Sequence, residues 1–483
     1  MPLNPKNLGH WVVAAVFGAL VFLTVVYRPS WSDEGQYLDP GANLALGRGF
    51  VSTCWESCAP GAEWGSSTPG FPLFFGAMFK VFGFGLWVPR VSFFLGHLLG
   101  AVLIIRWADR TFGMSPASKL VCFIVFMGTP ALSHHAIYNA RLECFALLIC
   151  ATYLNLKDSW EAGGAFVAAG LFLLGFVAVT MGLHFGLYLA LVTATLFLLR
   201  PSWSWFRFGL TLAAGMLAAG LALRLAYGHF GVWDQFLAHR LAHFGRELPW
   251  VPTGIRRFYV TKDLAIFAIG CAAVLGWDLL TRLDDGWRER TRVLGIIMAL
   301  YFAIPLLVGA IGIWHAGYAW MLALPMVLGV AALFRRPPAW PLRGLAVLGL
   351  ALGLAGAARE IRKIPGGLAD DAIRKQAVAD LEQRLRPGET VASTFDFFFE
   401  LRPAEPMVFF RCEHESRLSL GFKRELYFPA WAQSTTQWLL ACEAEAPACL
   451  EGIGGAWEEV RRYRREHAKG DYVLFRRQPA PGK

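Results

Sequence analysis

Asp33 and Glu34 are adjacent carboxylates in the stretch WSDEGQY at residues 31–37. A carboxylate beside a hydroxyl group can act as general base and remove its proton while the oxygen attacks an electrophilic carbon. The pair also fits the start of a helix, because Ser32 can be the N-cap and acidic residues in the first turn interact favourably with the helix dipole. A cap residue can also be a base, so the two roles are compatible.

A phosphate leaving group would need cations or strong hydrogen-bond donors around it, because it gains negative charge as the bond to it breaks. Several residues in predicted loops or at predicted helix ends could provide such contacts or bind a sugar. They are Tyr37, Glu63, Arg141, Glu143, His239, Arg240, His243, Arg246, His315 and Tyr318. At helical spacing, His239, His243 and Arg246 lie near one face of a predicted helix, with Arg240 beside that face.

Structural roles compete with binding roles at some of these positions. Arg141 and Glu143 could form an interfacial charge pair that anchors a helix, although ionisable residues at membrane depth are costly unless they pair or face a cavity. Tyr318 could equally belong to the aromatic belt of a membrane protein. Glu56 and Glu63 are alternative second carboxylates in the same predicted loop as Asp33, and Glu63 is preferred because it lies nearer the turn at residues 68–72.

Apolar segments must position these residues, because 56% of the 483 residues are hydrophobic and only 17% are charged. A membrane-spanning helix needs about 17–25 mostly apolar residues. The sequence predicts a polytopic α-helical membrane protein with about eleven such helices. The candidate segments are 11–27, 87–106, 117–133, 142–156, 163–180, 183–199, 207–227, 262–280, 293–312, 316–334 and 343–358.

A rise in charge density near residue 359 predicts a transmembrane catalytic domain over residues 1–358 and a small soluble α/β domain over 359–483. The first external loop is predicted at 28–86, with interfacial helices at 39–46 and 71–82. The second large external loop is predicted at 228–261. In the C-terminal domain we predict strands at 390–394, 407–410 and 472–476, and helices at 370–385 and 456–466.

Positive charge predicts the orientation. The net charge of +10 arises in the membrane part, where lysine and arginine cluster in short connections as cytoplasmic loops require. The N-terminus is therefore predicted to be cytoplasmic, and an odd number of helices places the Asp33 loop and the C-terminal domain outside the cytoplasm. This distribution argues against a nucleic-acid partner.

The nine cysteines do not form a metal-binding pattern. Cys54 with Cys58, and Cys442 with Cys449, could form disulfides in an oxidising compartment or could remain thiols. A divalent metal ion at Asp33 stays open, because only one loop offers obvious ligands.

Short motifs follow one another in a recognisable order between residues 10 and 335. They are Asp33-Glu34 with Tyr37, PGFPL at 69–73, ARLE at 140–143, FLAH at 236–239 leading to Phe244, and ALP at 323–325 after Tyr318. This succession resembles the GT-C glycosyltransferases, specifically the branch that contains protein O-mannosyltransferases and lipid A aminoarabinose transferases.

The resemblance implies a multi-span fold, a polyprenyl-phosphate-linked sugar donor and an inverting reaction. It implies Asp33 as the base or its equivalent and Glu34 as a supporting residue. Arg141 and the cluster at 239–246 would contact the phosphate or the donor. The chain departs from the aminoarabinose branch at residues 66–68, where Ser-Ser-Thr replaces a Glu-Lys pair. It also has no lysine near Tyr318, so the substrate within the family stays open.

We therefore expect a multi-pass inner-membrane hexosyl- or pentosyltransferase that acts outside the cytoplasm on a lipid, glycan or protein hydroxyl. The alternatives are a transporter or flippase of a lipid-linked sugar and a non-catalytic membrane assembly scaffold. A transporter of the inverted-repeat type would place functional charges near the bilayer midplane and show symmetry between halves. The charges here collect at one predicted external face, which favours the transferase.

Overall fold

The structure is a computed structural model. It describes residues 8–27, 32–52, 54, 63–129, 133, 136–137, 141–199, 201–244, 340–403, 407–409, 434–466 and 470–479. The described chain divides into two compact units. The first comprises Met1–Val25, Ser67–Gly70 and Ser92–Ile361, and the second comprises Val26–Ser66, Phe71–Val91 and Arg362–Lys483.

Helices make up most of the described chain before residue 390. They are α1 (Leu8–Val26), α2 (Ser32–Ala45), α3 (Gly70–Phe82), α4 (Trp87–Phe112), α5 (Pro116–Gly128), α6 (Ala146–Ser159), α7 (Gly164–Met181), α8 (Leu183–Leu199), α9 (Trp203–His229), α10 (Trp233–Phe244), α11 (Trp340–Ile361) and α12 (Ile364–Arg384). Four segments among the described residues are long and apolar enough to cross a membrane. These segments are Leu8–Val26, Trp87–Thr111, Gly164–Met181 and Trp203–His229.

The predicted apolar segments agree with these helices at most described positions. Two differ in detail. The segment predicted at 117–133 ends as a helix at Gly128, where Thr129 is extended. The segment predicted at 142–156 begins with a 3-10 turn, Leu142–Phe145, before α6, and such tighter turns are common at helix ends. The segments predicted at 262–280, 293–312 and 316–334 lie outside the described residues, so the total of eleven stays a prediction.

The C-terminal residues form a five-stranded mixed sheet in the order β2-β1-β3-β5-β4. Its strands are β1 (Thr390–Ser393), β2 (Met407–Phe409), β3 (Thr436–Cys442), β4 (Trp457–Tyr463) and β5 (Tyr472–Arg477). β1 is parallel to β2 and β3, and β5 is antiparallel to β3 and β4. A helix between β3 and β4, Ala446–Ile453, packs its Cys449 and Ile453 against Ala392, Leu439 and Ala441.

The predicted strands at 390–394, 407–410 and 472–476 are confirmed, and the predicted helix at 456–466 is wrong. This segment instead forms β4. Its sequence, WEEVRRY, is rich in residues that tolerate helices, but pairing with β5 fixes an extended backbone and illustrates how tertiary context overrides local propensity. β4 lies at the edge of the sheet, where charged side chains oppose pairing with another chain.

The cysteine chemistry differs from both proposed pairings. Cys449 is disulfide-bonded, whereas Cys54 and Cys442 are buried thiols. A Cys442–Cys449 bond and a Cys54–Cys58 bond are therefore excluded. The Cys442 sulfur lies 3.5 Å from Nη1 of Arg465.

Candidate active site

Helix α2 carries the predicted catalytic residues in its first turn. It begins at Ser32, shortly after the end of α1 at Val26, and therefore earlier than the predicted interfacial helix at 39–46. This start places Asp33 and Glu34 where the partial positive charge of a helix N-terminus stabilises carboxylates. The structure describes the backbone of Asp33, and the side chain of Asp33 lies outside the description.

Glu34 forms a buried ion pair with Arg90. Nη2 of Arg90 donates to Oε2 of Glu34 at 2.8 Å, and both side chains are 0% exposed. Arg90 lies in the first turn of α4, so the pair joins the start of α2 to the start of another helix. Removing one partner of such a pair leaves an uncompensated buried charge and typically costs about 3–5 kcal/mol. The carboxylate of Glu34 is thus held in one place beside Asp33.

Asp39, one turn and a half further along α2, is the centre of a second buried cluster. Its Oδ1 lies 2.7 Å from Nε of Arg402. Oδ2 accepts a hydrogen bond from Oγ of Ser52 at 2.5 Å. Asn43, on the same helix, donates to the carbonyl oxygen of Val51 at 2.8 Å. These contacts fix α2 to the loop that follows it and to the C-terminal residues.

The two other sequence-predicted residues of this unit lie in different surroundings. Tyr37 is half-buried on α2, and its ring meets that of Phe71 edge-on, with centroids 6.3 Å apart. Glu63 is exposed and forms an isolated antiparallel bridge with Val51 through its backbone. The role of Glu63 as an alternative second carboxylate stays a prediction.

Arg141 and Glu143 face each other in the first unit. Nε of Arg141 lies 3.8 Å from Oε2 of Glu143, and both side chains are almost fully buried. They stand at the start of the 3-10 turn that precedes α6. The predicted charge pair is therefore present. Its burial keeps a binding role open, because buried charges in a membrane part commonly serve a cavity.

The remaining predicted residues are described in part or lie outside the description. His239, Arg240 and His243 belong to α10, so the predicted helical spacing is confirmed for the backbone. Their side chains are outside the description. Arg246, His315 and Tyr318 lie outside the described residues. Among the residues that the structure does describe, no group of three or more potential metal ligands comes together.

Residues 66–68 are structural in this chain. Thr68 donates from Oγ1 to the carbonyl oxygen of Met181 at 3.0 Å, and the hydroxyl of Tyr227 donates to the carbonyl oxygen of Ser67 at 2.6 Å. Ser66, Ser67 and Thr68 are all buried. The position where the resemblance leads one to expect a Glu-Lys pair is thus filled by small side chains that the ends of α7 and α9 hold in place.

Arg90 and Arg402 were not among the residues predicted from the sequence. Arg90 is the single charged residue in the first part of a long apolar segment, and such a residue needs a partner or a cavity. That signal could have identified it. Arg402 lies in a charged region of the sequence, and nothing in its local pattern distinguishes it from its neighbours.

Two solved structures share the fold of this chain. One is the crystal structure of ArnT from Cupriavidus metallidurans bound to undecaprenyl phosphate, with a TM-score of 0.64 and 16% identity over 96% of this chain and 97% of that one. The other is ArnT from the same organism in the apo state, with a TM-score of 0.59 at the same identity and coverage. The chain has the fold of ArnT. At 16% identity this likeness concerns the fold alone.

The likeness extends over both compact units, because the uncovered share of the chain is far smaller than either unit. Sequence comparison adds no further relative, since no family model and no curated protein matches the chain. The fold is therefore established by the arrangement of the backbone.

Proposed function

We propose that this protein is an inverting glycosyltransferase that moves a sugar from a polyprenyl-phosphate-linked donor to an acceptor outside the cytoplasm. The observation that carries the proposal is the shared fold with ArnT over nearly the whole length of both chains. The ArnT structure contains undecaprenyl phosphate, the class of molecule that such a donor would leave behind.

In the proposed reaction Asp33 is the general base. It removes the proton of the acceptor hydroxyl while that oxygen attacks the anomeric carbon of the sugar. The new bond forms between this oxygen and the anomeric carbon, and the bond from the anomeric carbon to the phosphate oxygen breaks with its electron pair. The leaving polyprenyl phosphate thereby gains negative charge, which nearby cations would stabilise.

The described contacts support different roles for the two adjacent carboxylates. Glu34 is engaged by Arg90 at 2.8 Å in a fully buried pair, so it supports the start of α2 and is not the base. Asp33 occupies the first turn of the same helix, where the dipole favours its ionised form. Arg141 and the cluster at 239–246 are the proposed contacts for the phosphate.

The proposed location is the inner membrane, with the N-terminus in the cytoplasm and with the active site and C-terminal domain outside. Four described segments can span a bilayer. The disulfide at Cys449 supports an oxidising compartment for the C-terminal sheet, because disulfides persist outside the cytoplasm.

Release of polyprenyl phosphate from a panel of hexosyl and pentosyl donors tests the proposal, with membrane extract as the source of acceptor. We expect the wild-type protein to release the lipid phosphate and Asp33→Asn to lose this activity at least 100-fold, as loss of a general base predicts. Glu161→Gln removes an exposed carboxylate from the turn between α6 and α7 and should leave the rate unchanged.

Other outcomes discriminate among the rival functions. Transfer by Asp33→Asn within a few-fold of the wild type would rule out Asp33 as the base. Donor binding without release, equal in wild type and variant, would favour a transporter or an assembly scaffold. The donor that reacts would identify the sugar, and the labelled product would show whether the acceptor is a lipid, a glycan or a protein.

A further inference from the structure

The segment between β1 and β2 comes into direct contact with the helix that carries Asp33. It consists of a 3-10 turn, Phe395–Phe397, a short helix, Phe398–Leu401, and the turn at Arg402 and Pro403. We call residues 395–403 the clamp segment. It belongs to the same compact unit as α2, so its contacts with α2 lie within one body.

Gly35, directly after the two carboxylates, marks the closest approach. A Cβ atom at this position would lie 2.6 Å from Cδ1 of Phe395 and 3.3 Å from Cγ of Phe398. Glycine inside a helix is less favourable than alanine. Here it allows the first turn of α2 to lie on two phenylalanine rings, and a larger residue would push Asp33 and Glu34 away from them.

A buried ion pair joins the other end of the clamp segment to α2. Nε of Arg402 lies 2.7 Å from Oδ1 of Asp39, with side chains that are 4% and 0% exposed. Arg48, just after α2, donates to the carbonyl oxygens of Arg402 and Pro403 at 2.9 Å each. The clamp segment thus contacts α2 at its first turn through aromatic packing. Towards the end of α2 it is bound by the Arg402–Asp39 ion pair and by the hydrogen bonds of Arg48.

The clamp segment also contacts the turn that leads into α4, the helix of Arg90. The ring of Phe84 stacks on that of Phe399 with centroids 5.6 Å apart, and it meets Phe398 edge-on at 6.2 Å. The same segment therefore touches the elements on both sides of the Glu34–Arg90 pair. A displacement of the segment would disturb both partners of that pair.

The C-terminal sheet anchors the clamp segment. The amide of Thr394 donates to the carbonyl oxygen of Leu440 in β3 at 3.2 Å. Nε of Arg374, on α12, donates to Glu400 at 2.6 Å. The ring of Phe397, which is fully buried, packs against Tyr472 of β5 with centroids 4.7 Å apart. These contacts with the sheet and with α12 fix the position of the clamp segment against α2.

We infer that the clamp segment gives the C-terminal sheet a role in the transfer reaction, with Arg402 as a positioning residue that holds α2 and thereby Asp33. The inference rests on the proposed function of Asp33. Arg402 does not touch the reacting atoms. It acts through Asp39 and the backbone of α2, and a misplacement of a catalytic group by about 1 Å can reduce a rate about 100-fold.

The test compares Arg402→Gln, Arg402→Lys and the exposed control Arg384→Gln in the full-length protein, using release of polyprenyl phosphate from the donor that the wild type accepts. We expect kcat of Arg402→Gln to fall about 10- to 100-fold with KM for the donor within about threefold of the wild type, because the donor contacts are elsewhere. Arg402→Lys retains the charge and should recover part of kcat. Arg384→Gln should match the wild type.

Folding is measured in the same samples, and kcat is compared well below each Tm. A fall in kcat that parallels the loss of folded protein, or an unchanged kcat in well-folded Arg402→Gln, would overturn the positioning role while the transferase function stands. Absence of release by the wild type with every donor would overturn the proposed function and the inference together.

Discussion

The pairing of Glu34 with Arg90 places one of two neighbouring carboxylates in a buried ion pair. Both side chains of this pair are fully buried, and Glu34 lies in the first turn of α2. A sequence can indicate that two adjacent carboxylates are unusual, but the burial of Glu34 depends on a partner 56 residues away. The ion pair stabilises the folded protein only while both partners are present, because either charge alone would be buried without compensation.

Arg90→Met should destabilise the protein more than the loss of both charges does. The single variant leaves the carboxylate of Glu34 buried without its cation, at a cost of about 3–5 kcal/mol. In Glu34→Gln/Arg90→Met that penalty is removed. We expect the lowest Tm for the single variant, an intermediate Tm for the double variant and a wild-type Tm for Arg106→Met, which changes an exposed residue of α4.

Thermal unfolding of the purified protein in detergent checks this order. A double variant as unstable as the single one would show that packing of the Arg90 stem, and not the uncompensated charge, dominates the site.

Local sequence predicted where residues lie on helices. The interpretation of Ser32, Asp33 and Glu34 as the start of a helix is confirmed by α2, and the catalytic roles of the two carboxylates stay predictions. The partners Arg90 and Arg402 were not predicted. Arg90 stands out as a charged residue in an apolar segment, but the sequence does not name its partner, and Arg402 has no distinguishing local pattern. His239 and His243 were correctly placed on a helix, since helical spacing is a local property.

At the scale of elements, apolar periodicity predicted helices better than it predicted their ends. The interfacial helix was predicted over 39–46, whereas α2 extends from Ser32 to Ala45. The polar first turn carries no apolar signal, and only the capping pattern of Ser32, Asp33 and Glu34 indicates a helix start there. The charged segment 456–466 was predicted as a helix and is a strand, since its conformation depends on pairing with β5. The local helix or strand propensity of a segment contains no information about the strand with which it pairs.

The crossing of α2 and α3 depends on Gly41. A Cβ atom there would lie 2.1 Å from the carbonyl oxygen of Pro72 and 2.9 Å from the amide nitrogen of Gly76, and backbone atoms cannot move aside as a flexible side chain can. Gly41→Ala should therefore separate the two helices. We expect a loss of stability of about 1–3 kcal/mol, the usual cost of overpacking, and a reduced transfer rate.

Gly220→Ala is the matched control for Gly41→Ala. Gly220 lies inside α9 with open space around its Cα hydrogen, so alanine should be neutral or slightly stabilising through helix propensity. Tm and donor turnover are measured for both variants. Equal behaviour of the two would contradict the close crossing.

At the scale of the whole molecule, the rise in charge near residue 359 predicts a membrane part and a C-terminal domain, and this division stays a prediction. The packing of the described residues groups Arg362–Lys483 with Val26–Ser66 and Phe71–Val91 in one compact unit. Contacts such as Arg48 with the carbonyl oxygens of residues 402 and 403 explain this combination. The composition of a segment predicts whether it lies in lipid or in water. It does not predict which other segment it packs against.

The predicted orientation follows from the positive charge of the short connections and has a direct test. Lys375 is an exposed residue of α12, in the part predicted to lie outside, and Glu161 is an exposed residue of a turn predicted to lie in the cytoplasm. We expect a membrane-impermeant maleimide to label Lys375→Cys in intact spheroplasts and to label Glu161→Cys only after permeabilisation.

Labelling of each variant is compared with that of the unchanged chain, which measures any reaction of the native cysteines. Among the described cysteines, Cys54, Cys122, Cys144, Cys150 and Cys442 are buried. The opposite pattern would place α2 and the C-terminal sheet in the cytoplasm. A lipid-linked donor would then have to present its sugar on the cytoplasmic side, and the disulfide at Cys449 would stand in a reducing compartment, where such bonds are rare. The labelling result therefore bears on the side of the membrane at which the proposed transfer takes place, independently of which sugar is transferred.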